Sequence, residues 1–166
     1  AVPGDVLAIK IVAMEIASTF GWTAMKPGPG LLPANELPSA YLQIWDLSDG
    51  THARMRQRKD IAVPVASFPG VMGNALAEAG SHSTMPPRAT GGNMDNKHLT
   101  VGSTLYLPIQ VEGALFSTGD AHAAQGDGEC CVTAIETWSK LTLKFDLLSM
   151  KNVQEPQLRT SGPLCQ

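Results

Sequence analysis

Residues 103–112 read STLYLPIQVE, and the alternation of side chains in this stretch decides the fold class. Leu105, Leu107, Ile109 and Val111 stand at every second position, and most of the side chains between them are polar. Successive side chains of a β-strand point to opposite faces of a sheet, so this pattern predicts a strand with one buried face. The stretch therefore indicates a β fold.

Other segments support the same fold class. Residues 6–16, VLAIKIVAMEI, are apolar and β-branched and predict a mostly buried strand, with a helix as the alternative. Shorter strands are predicted at residues 41–47, 61–63, 131–135 and 141–147. Residues 21–38 and 64–102 are rich in glycine and proline, which predicts loops.

No segment shows a convincing amphipathic helix of four turns. We therefore predict a mainly β fold, a β-sandwich or a barrel-like sheet with long loops, and an α+β fold as the alternative for a complete, longer protein. Residues 1–150 are predicted to form one β domain, and the polar residues 151–166 an irregular tail.

The composition argues against several classes of partner. The 166 residues include 15 acids and 12 bases, a net charge of −3, and no basic run, so we expect no nucleic-acid partner. No apolar segment approaches the roughly 20 residues that cross a bilayer, so we expect no membrane association. The first ten residues, AVPGDVLAIK, do not resemble a signal peptide. The three tryptophans are scattered and predict no stacking platform for a larger ligand.

The three cysteines indicate a reducing compartment. Cys130 and Cys131 are adjacent, and Cys165 is almost terminal, so neither a disulfide framework nor a C-x-x-C zinc motif is present. A cytoplasmic location fits this pattern.

The densest chemistry lies in residues 119–129, GDAHAAQGDGE. On an extended segment Asp120 and His122 project to one side, as do Asp127 and Glu129. A carboxylate and an imidazole together form half of a divalent metal site, and both suit zinc. The alternative is a glycine-rich turn with charged edges and a hydrogen-bonded structural histidine.

A second polar segment, residues 90–96, reads TGGNMDN. Gly91 and Gly92 permit close approach of the backbone to a ligand, Asn93 offers a donor and an acceptor, and Asp95 offers a hard oxygen ligand. The alternative here is a plain hairpin or Asx-turn.

Residues 90–137, which contain both segments, resemble the signature region of the acetamidase/formamidase family. Residues 3–11, PGDVLAIKI, and 68–93, FPGVMGNALAEAGSHSTMPPRATGGN, also fit that family. The resemblance implies a cytoplasmic, mainly β enzyme that hydrolyses short aliphatic amides to a carboxylate and ammonia. It also implies a divalent metal, zinc first and calcium as the alternative, and assembly into homo-oligomers.

The matching positions give a candidate site. The predicted catalytic residues are Glu129 and Glu136, the predicted metal ligands are Asp95, Asp120 and His122, and the predicted substrate-binding residues are Gly91, Gly92, Asn93 and Gln125. Glu129 is assigned as general base and acid, and Glu136 is an alternative to Asp95 for completing the metal shell. A rival mechanism uses the Cys131 thiol as nucleophile.

The resemblance also shows departures. Family members carry an N-terminal portion with a His-Trp-Asp segment before the part that matches, and helical material after it. We therefore expect the chain to be a piece of a longer protein. The alternative function is a non-catalytic β domain that binds a metal or small ligand, or that serves in oligomerisation.

Overall fold

The computed structural model describes residues 1–36, 39–149 and 152–162, so Cys165 lies outside the described residues. These residues form twelve β-strands and no α-helix, which confirms the mainly β prediction. The strands are β1 (Val6–Ile16), β2 (Phe20–Met25), β3 (Tyr41–Asp46), β4 (His52–Met55), β5 (Ala62–Pro64), β6 (Phe68–Gly73), β7 (Gly91–Asn93), β8 (Thr104–Pro108), β9 (Ser117–Ala124), β10 (Ile135–Glu136), β11 (Ser139–Leu148) and β12 (Gln157–Arg159). Within the same described ranges, no helix is long and apolar enough to span a bilayer.

The chain divides into two compact units. The first unit contains Ala1–Met14, Pro69–Gly119 and Leu141–Gln166, and the second contains Glu15–Phe68 and Asp120–Lys140.

In the first unit, the central strand pair is β1 and β8. The sheet order is β11-β1-β8-β12, and β1 pairs antiparallel with β8 from Val6↔Pro108 to Lys10↔Thr104. The apolar positions of the alternating stretch are buried there, since Leu105 and Leu107 are almost inaccessible to solvent. Strand β12 lies within the residues predicted as an irregular tail.

In the second unit, the sheet runs β5-β4-β3-β2-β10-β9. One core cluster packs on it, formed by Trp45, Leu47, Ala53, Ala123, Ala124 and Ile135. This cluster anchors the end of β9 and the start of β10 in an apolar core. Candidate site residues lie on the same two strands, so the core holds the strands that carry them.

The loop prediction for residues 21–38 was wrong at its start, because this range contains most of β2. Residues 64–102 are mostly irregular, as predicted, but they contain β6 and β7. Strand β6, FPGVMG, was missed because Gly73 resembles a turn signal, whereas here it allows close pairing. A Cβ at Gly73 would lie 2.7 Å from the backbone nitrogen of Gly92. Of the strand predicted at 131–135, only Ile135 lies in a strand, as the first residue of β10.

Replacing Gly91 with Ala is expected to lower the free energy of unfolding by at least about 2 kcal/mol. Gly91 has a φ of 90°, and an added Cβ would collide with the carbonyl oxygen of Met72. Gly128→Ala is the control, because its Cβ would meet open space, and it should change stability by less than about 0.5 kcal/mol. Urea unfolding of both variants measures the difference, and equal midpoints would contradict the expectation.

Candidate functional site

His122 is the centre of the polar cluster in the second unit. Its side chain on β9 is only 1% exposed. The ring of Phe68 meets the imidazole edge to face, with centroids 5.0 Å apart at 90°. Backbone hydrogen bonds flank it, from Ala66 N to Ala123 O and from Thr137 N to Ala121 O, both 2.9 Å. The backbone of β9 is therefore held on both sides of His122, and the imidazole packs against an aromatic ring.

Three carboxylates face the Nε2 atom of His122. The distances are 3.4 Å to Glu136 Oε2, 3.5 Å to Asp120 Oδ1 and 3.7 Å to Glu129 Oε1. Their side chains are 13%, 34% and 17% exposed, respectively. The cluster is thus open to solvent mainly on the side of Asp120.

The strands position two of these carboxylates. Glu136 on β10 is the cross-strand partner of His122, and its Oε1 accepts a 3.0 Å hydrogen bond from Ala134 N. A β-bulge accompanies this pairing, since the consecutive residues Ile135 and Glu136 face Ala124 and His122, which are two apart on β9. Asp120 has a φ of 59°, a left-handed conformation that Asp tolerates better than most residues. Glu129, in contrast, lies outside the strands, after Gly126 and Gly128.

The carboxylates control the charge of the imidazole. Burial alone lowers the pKa of His122, but its interactions with Glu136 and Asp120 outweigh burial and raise the pKa to about 10. These interactions favour the protonated imidazole when no metal is bound. Carboxylates grouped around an imidazole also form a donor set that suits a divalent cation.

The spacing of the cluster also fits a metal. Tetrahedral ligands about 2.1 Å from a zinc ion lie roughly 3.4 Å from one another, close to the distances around Nε2. His122, Glu129 and Glu136 each offer one ligand atom, and these atoms lie within 4.8 Å of one another. The Nε2 atom is buried and makes no hydrogen bond of ordinary length within the described structure. A mixed nitrogen and oxygen donor set suits zinc better than calcium, which prefers oxygen ligands alone.

The structure brings together Asp120, His122, Glu129 and Glu136, all named from the sequence. Gln125 follows β9 directly and is partly buried, and Asp127 is exposed in the same connection.

The other predicted residues belong to the first unit. The N–H of Gly91 already donates to Arg88 O at 2.9 Å, and an oxyanion would have to compete with that bond. Asn93 Nδ2 donates to Met85 O at 3.0 Å. Gly91, Gly92 and Asn93 line a cavity of about 380 Å³. Asp95 follows β7, has a φ of 43° and donates its N–H to Gly70 O at 3.1 Å.

The thiol of Cys131, the rival nucleophile, is partly buried. Its Sγ donates a weak 3.6 Å hydrogen bond to the carbonyl of Thr133. That contact is with a peptide oxygen, which is too weak a base to activate a thiol.

Sequence reasoning missed the apolar surroundings of the cluster. Phe68 is separated from His122 by more than fifty positions in the chain, and no periodic pattern connects them. An open groove of about 470 Å³ in the second unit, lined in part by Trp45, Ala124 and Ile135, was also missed. Its residues come from five separate strands and from the connection between β9 and β10, so only the folded sheet reveals it.

Comparison with known proteins identifies related sequences. The model of the acetamidase/formamidase family matches residues 74–163. A formamidase of Methylophilus methylotrophus is 37% identical over 134 residues, which cover 75% of this chain and 32% of that protein. An acetamidase of Mycolicibacterium smegmatis is 44% identical over 91 residues, covering 54% of this chain and 22% of its own length.

Solved structures agree with the sequence relatives. A recombinant predicted acetamidase/formamidase from Thermoanaerobacter tengcongensis superposes with a TM-score of 0.88 at 35% identity, over 97% of this chain and 52% of that one. An acetamidase from Bacillus halodurans superposes with a TM-score of 0.88 at 31% identity, over 96% and 52%. The chain thus spans about half the length of these structures and less of the two sequence relatives.

Proposed function

Because the chain belongs to the acetamidase/formamidase family, we propose that it hydrolyses short aliphatic amides such as formamide and acetamide to a carboxylate and ammonia. The observation that supports this most is the buried imidazole of His122 with three carboxylates 3.4–3.7 Å from its Nε2 atom. Such a cluster combines metal-ligand chemistry with an acid/base group, and metal-assisted amide hydrolysis uses both.

We assign His122, Glu136 and Asp120 as the metal ligands, because the carboxylate oxygens of Glu136 and Asp120 lie closest to His122 Nε2. Glu129 also lies within ligand distance of His122 and Glu136, and its role as a ligand is the alternative. A divalent metal held there, zinc in preference to calcium, would polarise the amide carbonyl and make a water molecule more acidic. The hydrogen bond from Ala134 N fixes one oxygen of Glu136 and leaves the other directed at the imidazole. Asp95 in the first unit remains the alternative ligand from the sequence.

Glu129 is proposed to move the proton. It is the most distant of the three carboxylates, at 3.7 Å from His122 Nε2, and the only one outside a strand. Two glycines, Gly126 and Gly128, precede it in the connection between β9 and β10. Glu129 would take a proton from the attacking water and deliver it to the amide nitrogen, so that ammonia leaves as the C–N bond breaks.

Substrate positioning is proposed for Gln125, which lies between β9 and Glu129. A side-chain amide can donate to a carbonyl oxygen and accept from an N–H₂ group, which matches a primary amide substrate. The assignments of Gly91, Gly92 and Asn93 as substrate-binding residues stay predictions from the sequence.

The function is tested by ammonia release from formamide and acetamide. We expect chelation to lower the rate by at least about 100-fold, because loss of a Lewis acid removes several kcal/mol of stabilisation. Added zinc should restore the rate, and calcium should restore less of it. A folded, zinc-loaded sample that releases no ammonia from either amide would support the non-catalytic binding domain instead.

We also propose a cytoplasmic location and a homo-oligomeric assembly. The cysteine pattern supports the first, and the family resemblance supports the second. Light scattering coupled to gel filtration measures the assembly directly.

A further inference from the structure

The apolar groove of the second unit is a defined concave surface. It has a volume of about 470 Å³, within the range of roughly 300–1,000 Å³ typical of small-molecule sites. Its lining includes Thr23, Trp45, Val63, Ala124, Gly128 and Ile135. Formamide and acetamide are far too small to occupy this volume.

Two residues link the groove to the site. Ala134 lines the groove, and its N–H donates to Glu136 Oε1 at 3.0 Å. Gln125, which is proposed to position the substrate amide, lines the groove as well.

The lining also has the chemistry of an aliphatic binding site. Trp45, Ala124 and Ile135 belong to the core cluster, so this wall is rigid as well as apolar. The indole Nε1–H of Trp45 is already bonded to Thr23 Oγ1 at 3.0 Å, which leaves the ring faces for apolar contact.

We infer that the groove binds the aliphatic acyl chain of an amide ligand longer than acetamide, with the carboxamide directed to the carboxylate cluster. This inference deepens the proposed function and rests on it, because it extends the substrate class to unbranched amides of several carbons. Each methylene that enters the groove contributes about a fourfold gain in binding.

The inference can be tested by a substitution that fills the groove with a larger side chain. Gly128→Leu adds a side chain where a Cβ meets open space and φ is not positive, so the variant should fold. Gly162→Leu in the first unit is the matched control, with equally open space around it. We expect Gly128→Leu to lower the kcat/KM ratio of hexanamide over formamide by about tenfold, since two or more methylenes lose their contacts, and the control to leave the ratio unchanged.

A binding measurement separates this inference from the catalytic proposal. Titration with hexanamide should shift the indole N–H resonance of Trp45, assigned by its loss in Trp45→Phe, and the shift should weaken in Gly128→Leu. The inference is wrong, and the proposed function stands, if formamide is hydrolysed but hexanamide does not shift the Trp45 resonance. The same conclusion follows if formamide is hydrolysed and Gly128→Leu leaves the kcat/KM ratio of hexanamide over formamide unchanged. If Trp45 responds to hexanamide but no amide releases ammonia, the groove stands as an amide-binding site and the proposed function is wrong.

Discussion

Glu129→Gln should lower kcat for formamide by about 10²–10⁴-fold while the bound metal remains. The amide side chain keeps the size of the carboxylate but cannot accept and return a proton. Glu129 is the carboxylate farthest from His122 Nε2, at 3.7 Å. The three proposed ligands should therefore still hold the ion in the variant. Kinetics with formamide, together with metal content by mass spectrometry, measures both parts of the expectation.

Asp127→Asn is the matched control for this variant. Asp127 is exposed in the same connection, two residues before Glu129, and its change should leave kcat within about threefold of the unmodified chain. Loss of metal together with activity in Glu129→Gln would show that Glu129 is a ligand, and the proton would need another carrier.

The same experiment decides the rival mechanism. Cys131→Ala should retain turnover of formamide, because the thiol donates only to the carbonyl of Thr133. If Cys131→Ala abolishes turnover and Glu129→Gln leaves it intact, a thiol nucleophile replaces the water mechanism.

His122→Asn should weaken zinc binding by at least about 100-fold and reduce ammonia release to background. Changes to residues that only support a metal ligand typically cost about 10–100-fold in affinity, and removal of a ligand itself should cost at least that much. Isothermal titration with zinc measures the affinity, and circular dichroism checks that the β fold is retained.

His52→Asn is the control for the histidine change. His52 lies on β4 in the same unit, and its ring contacts Thr51 Oγ1 at 3.0 Å rather than the carboxylate cluster. Since His122 is buried, Asp120→Asn provides a second variant with a more exposed side chain and less risk to folding. Unchanged zinc affinity in both His122→Asn and Asp120→Asn would place the metal elsewhere.

The strand at residues 104–108 was predictable from the alternation of its side chains, although Thr104 and Pro108 on its other face are buried as well. Leu105 and Leu107 pack in the core as their spacing implies. Strand β6 was not predictable in the same way, because its Pro69, Gly70 and Gly73 resemble loop residues in sequence. Only contact with the backbone of Gly91 and Gly92 explains why small residues stand there.

The candidate site was partly predictable. Asp120 and His122 lie side by side, as two residues on an extended segment would, although Asp120 reaches this position through a left-handed backbone. Glu136 comes next to His122 through the pairing of β9 with β10, a contact between distant parts of the chain. The contact between Phe68 and His122 also joins distant parts of the chain, since the two residues lie on different strands. Sequence spacing predicts contacts between residues that are close in the chain. Contacts between distant residues depend on which strands pair, and spacing does not predict that.

The β-bulge between β9 and β10 has a consequence for how this region can change in evolution. Glu136 faces His122, and Ile135 faces Ala124, in the present register of the two strands. A slip of β10 by one residue along β9 would place an apolar side chain beside the imidazole and a carboxylate against the core. Homologous chains should therefore vary in the length of the connecting loop, which can absorb an extra residue, and rarely carry an insertion or deletion within β10 itself.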